Sequence, residues 1–405
     1  MQHITGTSFL SISCFFLTIG MASSQARENI YYNGFEIQLI MKSGFEAQTN
    51  VCNDTNDNDN DRLLNCYETN TGVFINNENT GTDPNNADTD GDAITDGDEV
   101  LGTLEGLNLP AMGTNPLVKN ILLEYDWFDD SNECAAHSHR PTQAIINRVD
   151  LAFLNAPINN PDGSTGIVLI QDYGQGGAFQ GGNLINDADG VLTGGVSGSE
   201  FLGHKATHFA NNRNRYFHYV ILPHRYNTDS GSSGQAEING DDMIVSLYCF
   251  NSTRNVANTI VHELGHNLSF LHGGNTSCNY KPNYNSVMNY RYQFPGVDDN
   301  CTPPGDNILD YSSGLNISLN ENNLDENAGI CGTTPWDWNE NTVIDGAPVS
   351  FDINSDGNNF CGGTLSVLED YNDWGNINYN GIFNLDRSPD QIIDCQSIPS
   401  WARFK

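Results

Sequence analysis

Apolar residues from position 119 onward fall into short runs, which predict strands, and into stripes with a spacing of four, which predict helices. Four runs are rich in β-branched or aromatic residues and are bounded by Gly, Asn or Pro: residues 120–127, 166–173, 215–222 and 241–250. Residues 141–156 begin with Pro and space Ile145, Val149 and Phe153 four apart, as in an amphipathic helix. This alternation predicts an α/β chain, in which the Gly-rich residues 174–198 form a long surface loop.

A second helix is predicted around the segment HELGHNLSFLH, residues 262–272. Its apolar stripe consists of Val256, Ile260, Leu264 and Leu268, and Asn251, Ser252 or Thr253 offers an N-cap. His262 and His266 are offset from the stripe by two positions, about 200° of helical rotation, so they share the opposite face. Two imidazoles one turn apart can hold one small cation. Glu263 is placed to hold a water on that cation.

A catalytic zinc needs a third protein ligand and a fourth position for water. His272 lies six residues beyond His266, where a straight helix would carry it out of line. Metal binding therefore predicts that the chain changes direction after about Asn267.

These residues resemble the signature of the metzincin zinc endopeptidases, HExxHxxGxxH. His262, Glu263, His266 and His272 match it, whereas Ser269 stands where the family usually has Gly. The segment NSVMNY, residues 285–290, resembles the family's methionine-containing turn. The resemblance spans roughly residues 117–310.

The resemblance implies a metzincin-like twisted mixed sheet with an active-site helix and a catalytic Zn²⁺. It also implies that Met288 packs beneath the metal and that Tyr290 is a further zinc ligand or a donor to the reacting oxyanion. Glu263 would be the general base in the hydrolysis of protein or peptide substrates. We expect the substrate strand to pair with an exposed sheet edge near residues 241–250.

Other interpretations of the histidines stay open. HExxH alone occurs in many unrelated helices, and a zinc hydrolase could act on something other than protein. A second pair, His204 and His208, has the same spacing but no adjacent Glu, so we interpret it as a surface or packing feature.

The charge balance makes cations the favoured partners. The chain has 16 Lys+Arg against 51 Asp+Glu, a formal net charge of −35, which argues against nucleic acid or an anionic membrane as a partner. Two acidic loops repeat with an offset of 31 residues: Asp57, Asp59, Asp61 and Glu68, then Asp88, Asp90, Asp92 and Glu99. Their positions 1, 3, 5 and 12 are those of calcium ligands.

The repeats between residues 51 and 102 resemble the calcium-binding type 3 repeats of thrombospondins. The position usually held by Gly is Arg62 in the first loop and Ala93 in the second. An acidic disordered linker is the alternative. A third candidate calcium loop holds Asp352, Asn354 and Asp356, for which the alternative is a plain Asn-Gly turn.

The ends and the cysteines predict export. Residues 1–22 contain a short apolar run followed by small residues, as in a secretory signal peptide, and the alternative is a short membrane anchor. No later stretch is apolar enough for membrane insertion. Without Cys14, nine cysteines remain, an odd number that predicts disulfides and one free thiol. The nearest-neighbour pairs are Cys52 with Cys66 and Cys278 with Cys301.

We therefore predict an N-terminal region over residues 23–115, a zinc peptidase domain over 116–325 and an Asn/Asp-rich C-terminal region over 326–405. The function predicted is that of a secreted zinc-dependent endopeptidase. The alternative function is that of a non-catalytic, secreted calcium-binding adhesin or matrix protein with a vestigial zinc site. The sequence leaves the oligomeric state open.

Overall fold

A twisted mixed sheet of eight strands runs through the part of the chain that the structure describes. The structure, a computed structural model, describes residues 52–130, 137–227, 231–249, 252–302, 304–354, 361, 365–383 and 391–395. The predicted signal peptide and Asp356 lie outside these residues. The predicted α/β class with a mixed sheet is confirmed.

Six helices and twelve strands lie within the described ranges. The helices are α1 (Asp96–Leu101), α2 (Leu109–Met112), α3 (Gln143–Leu154), α4 (Ser199–His208), α5 (Thr253–Asn267) and α6 (Tyr290–Gln293). The strands are β1 (Asn120–Asp130), β2 (His137–Ser138), β3 (Val168–Asp172), β4 (Leu184–Ile185), β5 (Val191–Leu192), β6 (Phe217–Leu222), β7 (Arg225–Tyr226), β8 (Gly234–Glu237), β9 (Asp242–Val245), β10 (Leu319–Asn320), β11 (Val367–Leu368) and β12 (Ile392–Asp394).

The four predicted strands and the two predicted helices are all present. The helix predicted at residues 141–156 is α3, which Thr142 caps by accepting from the backbone N–H of Ile145. The Gly-rich stretch between β3 and α4 contains two short strands, β4 and β5, rather than loop alone. None of the described helices has the length and apolar character required to cross a bilayer.

The strand order places β8 outside β9. Strands β1, β6 and β9 are parallel neighbours, β3 and β4 are parallel to β1, and β8 is antiparallel to β9. The expectation that residues 241–250 form the exposed edge is therefore wrong. The sequence GQAE of β8 contains no apolar run and gave no strand signal. The final strand, β12, pairs antiparallel with the outer side of β8.

The alternation of side chains along β1 divides the interior into two cores. Ile121, Leu123, Tyr125 and Trp127 face α3 and α5, which cover one side of the sheet. Leu122 and Phe128 face the other side, where Phe201 of α4 completes the packing. The apolar stripe of α5 lies entirely in the first core, which fixes the direction in which its histidines point.

A buried ion-pair network spans the second side of the sheet. Arg213 contacts Glu124 and Asp172, each at 2.5 Å, and both carboxylates are inaccessible to solvent. Burial raises the pKa of Glu124 to about 8, although Arg213 acts in the opposite direction.

The disulfides only partly follow nearest-neighbour order. The pair Cys52–Cys66 is confirmed. The pairing of Cys278 with Cys301 is wrong, because Cys278 bonds to Cys361 and Cys301 bonds to Cys331. The chain returns to Cys278 after 83 residues, a proximity that spacing does not encode. Cys249 is also disulfide-bonded, and Cys395 is a free, buried thiol.

Residues beyond 325 contact the predicted peptidase region directly. β10 pairs with β11, and Leu319, Leu324, Ile330, Trp338 and Leu368 form a small core. The described residues all belong to one compact unit, residues 49–405. The predicted boundaries at 116 and 326 stay predictions.

We predict that Arg213→Met lowers the free energy of unfolding by about 3–5 kcal/mol, because two buried carboxylates lose their cation. Urea unfolding at neutral pH measures the change. The control is Arg215→Met, which alters an exposed side chain and is expected to shift stability by no more than about 0.5 kcal/mol. Equal effects of the two substitutions would contradict the structural importance of the network.

Candidate metal centre

The histidine-bearing helix ends where the sequence predicts. Ser252 caps its start by accepting from the backbone N–H of Asn255, and α5 ends at Asn267. The Asn267 side-chain amide donates to the backbone carbonyls of Glu237 at 2.8 Å and Asp242 at 3.2 Å. These bonds anchor the end of the helix on β8 and β9.

The change of direction after Asn267 is a Schellman motif. The backbone N–H of Phe270 donates to the carbonyl of Gly265 at 2.8 Å, and that of Ser269 donates to the carbonyl of His266 at 2.9 Å. Ser269 has φ +85°, the left-handed conformation that such a motif requires and that Gly adopts most easily. Its hydroxyl donates to Asn239 Oδ1 at 3.0 Å, which offsets part of the cost.

The bend brings the three predicted histidines together. Leu271 and Gly274 exchange backbone hydrogen bonds around a tight turn that carries His272. The ring centroids of His262 and His266 are 4.9 Å apart, those of His266 and His272 are 4.9 Å apart, and those of His262 and His272 are 5.3 Å apart. One nitrogen from each ring lies within 4.8 Å of the others.

Backbone carbonyls orient two of the rings. His262 Nδ1 lies 2.8 Å from the Val287 carbonyl, and His266 Nδ1 lies 2.6 Å from the Phe270 carbonyl. Each Nδ1 must therefore donate, which leaves each Nε2 with a lone pair for a metal. Burial lowers the pKa of His262 to about 4 and, with help from neighbouring histidines, holds those of His266 and His272 well below the usual value. Neutral imidazoles are the form that binds metals.

Met288 lies directly beneath this helix. The side chain is fully buried, and a Cβ on Gly265 would stand 2.2 Å from its sulfur, so the turn packs against bare helix backbone next to His266. Asp373 supports the turn from the C-terminal region: it accepts from Tyr284 Oη at 2.8 Å and from Ser286 Oγ at 2.6 Å.

Glu263 is also buried at this site. A Cβ on Gly234 of β8 would stand 2.3 Å from Glu263 Oε1, so this strand passes against the carboxylate without a side chain between them. Burial raises the pKa of Glu263 well above its usual value, and the neighbouring Cys395 thiol acts in the opposite direction. Among the described residues, neither carboxylate oxygen of Glu263 has a hydrogen-bond partner.

Tyr290 lies beside two of the histidines. Its ring centroid lies 4.1 Å from that of His272 and 5.7 Å from that of His262. Burial raises the pKa of the Cys395 thiol well above its usual value, and the nearby Tyr290 side chain acts in the opposite direction. The predicted site residues His262, Glu263, His266, His272 and Tyr290 thus lie together around one point.

Cys395 is the member of this site that the sequence did not identify. Its Sγ lies 3.6 Å from His266 Nε2 and 3.9 Å from His272 Nε2, and it joins the three histidines in one cluster of ligand atoms. The odd cysteine count predicted a free thiol, but Cys395 is 123 residues away from His272 in sequence.

This donor set fits zinc. Among the described residues, His262 Nε2 is buried and has no hydrogen-bond partner, as expected of an atom that faces a cation. Nitrogen and sulfur ligands on one tetrahedral Zn²⁺, at about 2.0 and 2.3 Å from it, lie roughly 3.5 Å apart. The Sγ to Nε2 distances are close to that separation.

The two acidic loops have the same internal geometry. Asp57 accepts from the backbone N–H groups of Asn60 and Arg62, and Asp88 accepts equivalently from Gly91 and Ala93. Arg62 (φ +86°) and Ala93 (φ +76°) both adopt the left-handed conformation usually assigned to Gly at this position. The alternative of a disordered linker does not fit this repeated order.

Each loop also collects buried carboxylates. Asp57, Asp59 and Asp61 form one group, and Asp61 forms another with Glu68 and Asp96. Asp96 belongs to the second repeat and was not predicted. Burial, aided by the neighbouring acids, raises the pKa of Glu68 to about 8 and that of Glu99 well above its usual value. Among the described residues, neither Glu99 carboxylate oxygen has a hydrogen-bond partner.

The third candidate calcium loop has a different environment. The side-chain amide of Asn354 is buried against the Cys278–Cys361 disulfide, at 2.8 Å from Cys361 Sγ. Asp352 is described, but Asp356 is not, so a calcium site here stays a prediction. His204 and His208 lie on α4, where the ring of His204 packs edge-on against Phe128.

No family model matches the sequence, and no curated protein matches it. Among solved structures, the chain is similar to an archaemetzincin from Methanopyrus kandleri, with 13% sequence identity and a TM-score of 0.22. The match covers 42% of this chain and 81% of that one. Such a likeness is weak, and the chemistry of the site rests on its own geometry.

We predict different outcomes for two substitutions of Ser269. Ser269→Gly removes a left-handed side chain that costs about 1–2 kcal/mol but also loses a hydrogen bond, so zinc retention should be unchanged. Ser269→Val places a β-branched residue at φ +85° and should weaken zinc retention by opening the bend. Competition with a chromogenic chelator measures both, and equal retention in the two variants would contradict this account.

Proposed function

We propose that this protein is a zinc-dependent endopeptidase. The observation that carries the proposal is the convergence of three neutral, buried imidazoles beside a buried carboxylate. Two of the imidazoles are fixed in the tautomer that leaves Nε2 for the metal. His262, His266 and His272 would hold the ion. When bound, zinc lowers the pKa of water toward neutrality and polarises a carbonyl.

Glu263 would act as the general base and then as the general acid. The carboxylate would accept a proton from the attacking water and deliver it to the leaving amine. Burial raises its pKa, while the positive charge of a bound metal lowers it, so the two effects together favour a base that can also return the proton.

Tyr290 would assist by donating its phenolic hydrogen to the oxygen of the scissile carbonyl as negative charge develops there. The support for this role is the place of its ring, which stands beside those of His272 and His262.

We further propose that substrates are proteins or peptides bound in extended form along β8. This strand runs beside α5, and Gly234 exposes its backbone directly against Glu263. Backbone pairing with a sheet edge gives affinity without demanding one sequence. The net charge of −35 disfavours nucleic acid and anionic membranes as partners.

We place the protein outside the cell, as a secreted enzyme. The disulfides Cys52–Cys66, Cys278–Cys361 and Cys301–Cys331 are the pattern of an oxidising compartment, and the predicted signal peptide agrees with this location.

Calcium would have a structural role in the acidic loops. Asp57, Asp59, Asp61 and Glu68 in the first loop, and Asp88, Asp90, Asp92 and Glu99 in the second, would supply carboxylate oxygens. Buried carboxylates with raised pKa values are costly without a cation. The two loops contact each other, because the backbone N–H of Gly97 donates to Asp61 at 2.9 Å. Calcium would therefore rigidify both repeats together.

The non-catalytic alternative uses the same calcium loops and differs at the histidines. A vestigial site would not need Glu263 and Tyr290 to be held beside three convergent imidazoles, two of them oriented by backbone carbonyls. Stoichiometric zinc and chelator-sensitive proteolysis would eliminate that alternative.

We predict that Glu263→Gln lowers kcat for casein or peptide hydrolysis by about 10²–10⁴-fold without loss of zinc, because the amide keeps the shape but cannot take the proton. Elemental analysis measures the zinc content. The Cys395 thiol lies close to the Nε2 atoms of His266 and His272. Activity is therefore measured both in the unmodified chain and in a Cys395→Ala background, each with and without phenanthroline.

The control is Glu105→Gln, which removes an exposed carboxylate that is distant from the histidines in sequence. This substitution should leave kcat unchanged. Full activity in the Glu263→Gln variant would refute the proposed mechanism. Zinc absent from the folded chain would refute the metal centre itself.

We predict that Glu99→Gln has opposite effects with and without calcium. In a calcium chelator it should raise the thermal midpoint, because a buried carboxylate among Asp88, Asp90, Asp92 and Asp96 is removed. In excess calcium it should lose much of the calcium-dependent stabilisation that the unmodified chain shows. Differential scanning calorimetry measures both, with Glu105→Gln as the control.

The pH dependence follows from the same carboxylates. The pKa of Glu68 rises from 4.5 to about 8 on folding, so above pH 4.5 the folded state holds a proton that the unfolded state has released. Calcium-free protein should therefore lose stability as the pH rises from 4.5 toward 8, and excess calcium should reduce this loss. A calcium-free midpoint that rises across this range would contradict the assignment.

A further inference from the structure

The C-terminal strand occupies the sheet edge on which substrate is proposed to bind. Ile392, Ile393 and Asp394 of β12 pair antiparallel with Glu237, Ala236 and Gln235 of β8. The pairing continues on both sides. The Cys395 N–H donates to the Gly234 carbonyl at 3.1 Å, and the Ile238 N–H donates to the Gln391 carbonyl at 2.5 Å.

Side-chain contacts hold the end of this strand in place. Ser232 Oγ donates to the Cys395 carbonyl at 2.5 Å and lies 3.0 Å from Asp394 Oδ1. Because Gly234 faces Glu263, the residue opposite Gly234 is delivered to the catalytic carboxylate. That residue is Cys395.

The Cys395 thiol then fills the centre of the site. Its Sγ stands at 3.6 and 3.9 Å from two histidine Nε2 atoms, separations that suit ligands of one tetrahedral zinc better than hydrogen bonds. The same thiol is close enough to Glu263 and Tyr290 for both groups to act on its pKa, which burial raises. Both groups assigned to catalysis are therefore neighbours of Cys395.

We propose that the C-terminal segment holds this enzyme latent: β12 lies in the position of the substrate strand, and Cys395 Sγ supplies the fourth zinc ligand where water would bind. This inference rests on the proposed function. It explains why a chain with nine cysteines outside the predicted signal peptide keeps a buried free thiol between its catalytic groups.

Activation requires two changes. The bond between zinc and Cys395 Sγ must break, with the thiolate taking a proton from solvent and water entering the position that it leaves. The hydrogen bonds between β12 and β8 must also break, which frees the backbone of β8 for a substrate. Neither change needs an oxidant or a reductant.

A permanently closed structural zinc site is the competing explanation, since four protein ligands are typical of such sites. A structural site has no use for a general base. Removing one ligand from such a site would loosen the metal without creating activity. The latency proposal predicts the opposite effect on hydrolysis.

The first test replaces the thiol. In purified full-length chain, Cys395→Ala is expected to raise peptide hydrolysis about a hundredfold, since a tethered ligand competes at an effective concentration on the order of millimolar. The second measurement does not depend on activity. Cobalt-substituted unmodified protein should show a thiolate-to-cobalt charge-transfer band in the near ultraviolet, and the Cys395→Ala variant should lack it.

The second test keeps the thiol and weakens the strand. Gln391 and Cys395 each share a backbone hydrogen bond with the β8-side residue opposite them. Hydrogen-bonded and non-hydrogen-bonded pairs alternate along an antiparallel ladder, so the N–H of Ile393 points toward β8 and that of Ile392 points away. Ile393→Pro removes a pairing donor and should raise both activity and alkylation of Cys395 by iodoacetamide, located by peptide mass mapping. Ile392→Pro, the matched control, should change either much less.

The outcomes separate the two proposals. Latency is overturned if Cys395→Ala leaves hydrolysis unchanged while the unmodified chain is active. It is also overturned if the cobalt protein lacks the thiolate band. If the band is present but neither chain hydrolyses any protein or peptide, ligation by Cys395 stands and the proposed endopeptidase function fails. Added activity that Glu263→Gln abolishes supports both.

Discussion

The site depends on one backbone constraint, the left-handed turn at Ser269. α5 can carry two histidines on one face, but a third can reach the same point only if the helix stops within a few residues of His266. The Schellman hydrogen bonds stop it at Asn267, and the Asn267 amide fastens that end to the sheet. The turn also supplies the Phe270 carbonyl that orients His266. One local motif therefore sets both the position of His272 and the tautomer of His266.

Much of this arrangement can be predicted from sequence because it is local. The spacing of Val256, Ile260, Leu264 and Leu268 defines the buried stripe, and the two-residue offset of His262 and His266 directs them to one face. The need for His272 to return predicts the bend. The register of the acidic loops likewise predicts the geometry around Asp57 and Asp88, since each aspartate bonds to backbone only a few residues away.

The features that sequence did not predict depend on long-range contacts. β8 has the composition of a loop and becomes a strand because β9 and β12 pair with its two sides. Cys278 pairs with Cys361 rather than with Cys301 because the C-terminal region returns to the predicted peptidase region. Cys395 reaches the histidines through that same pairing with β8. Spacing along the chain carries no information about which distant segments meet.

Asp373 has a consequence for how the molecule can be divided. This buried carboxylate accepts hydrogen bonds from Tyr284 and Ser286, which shape the methionine turn beneath His266, yet it lies 89 and 87 residues beyond them. A fragment cut at residue 325 would keep every proposed zinc ligand from the helix and still leave two buried hydroxyls without an acceptor. The proposed catalytic module is thus discontinuous in sequence, and its floor is completed only once residue 373 has been synthesised.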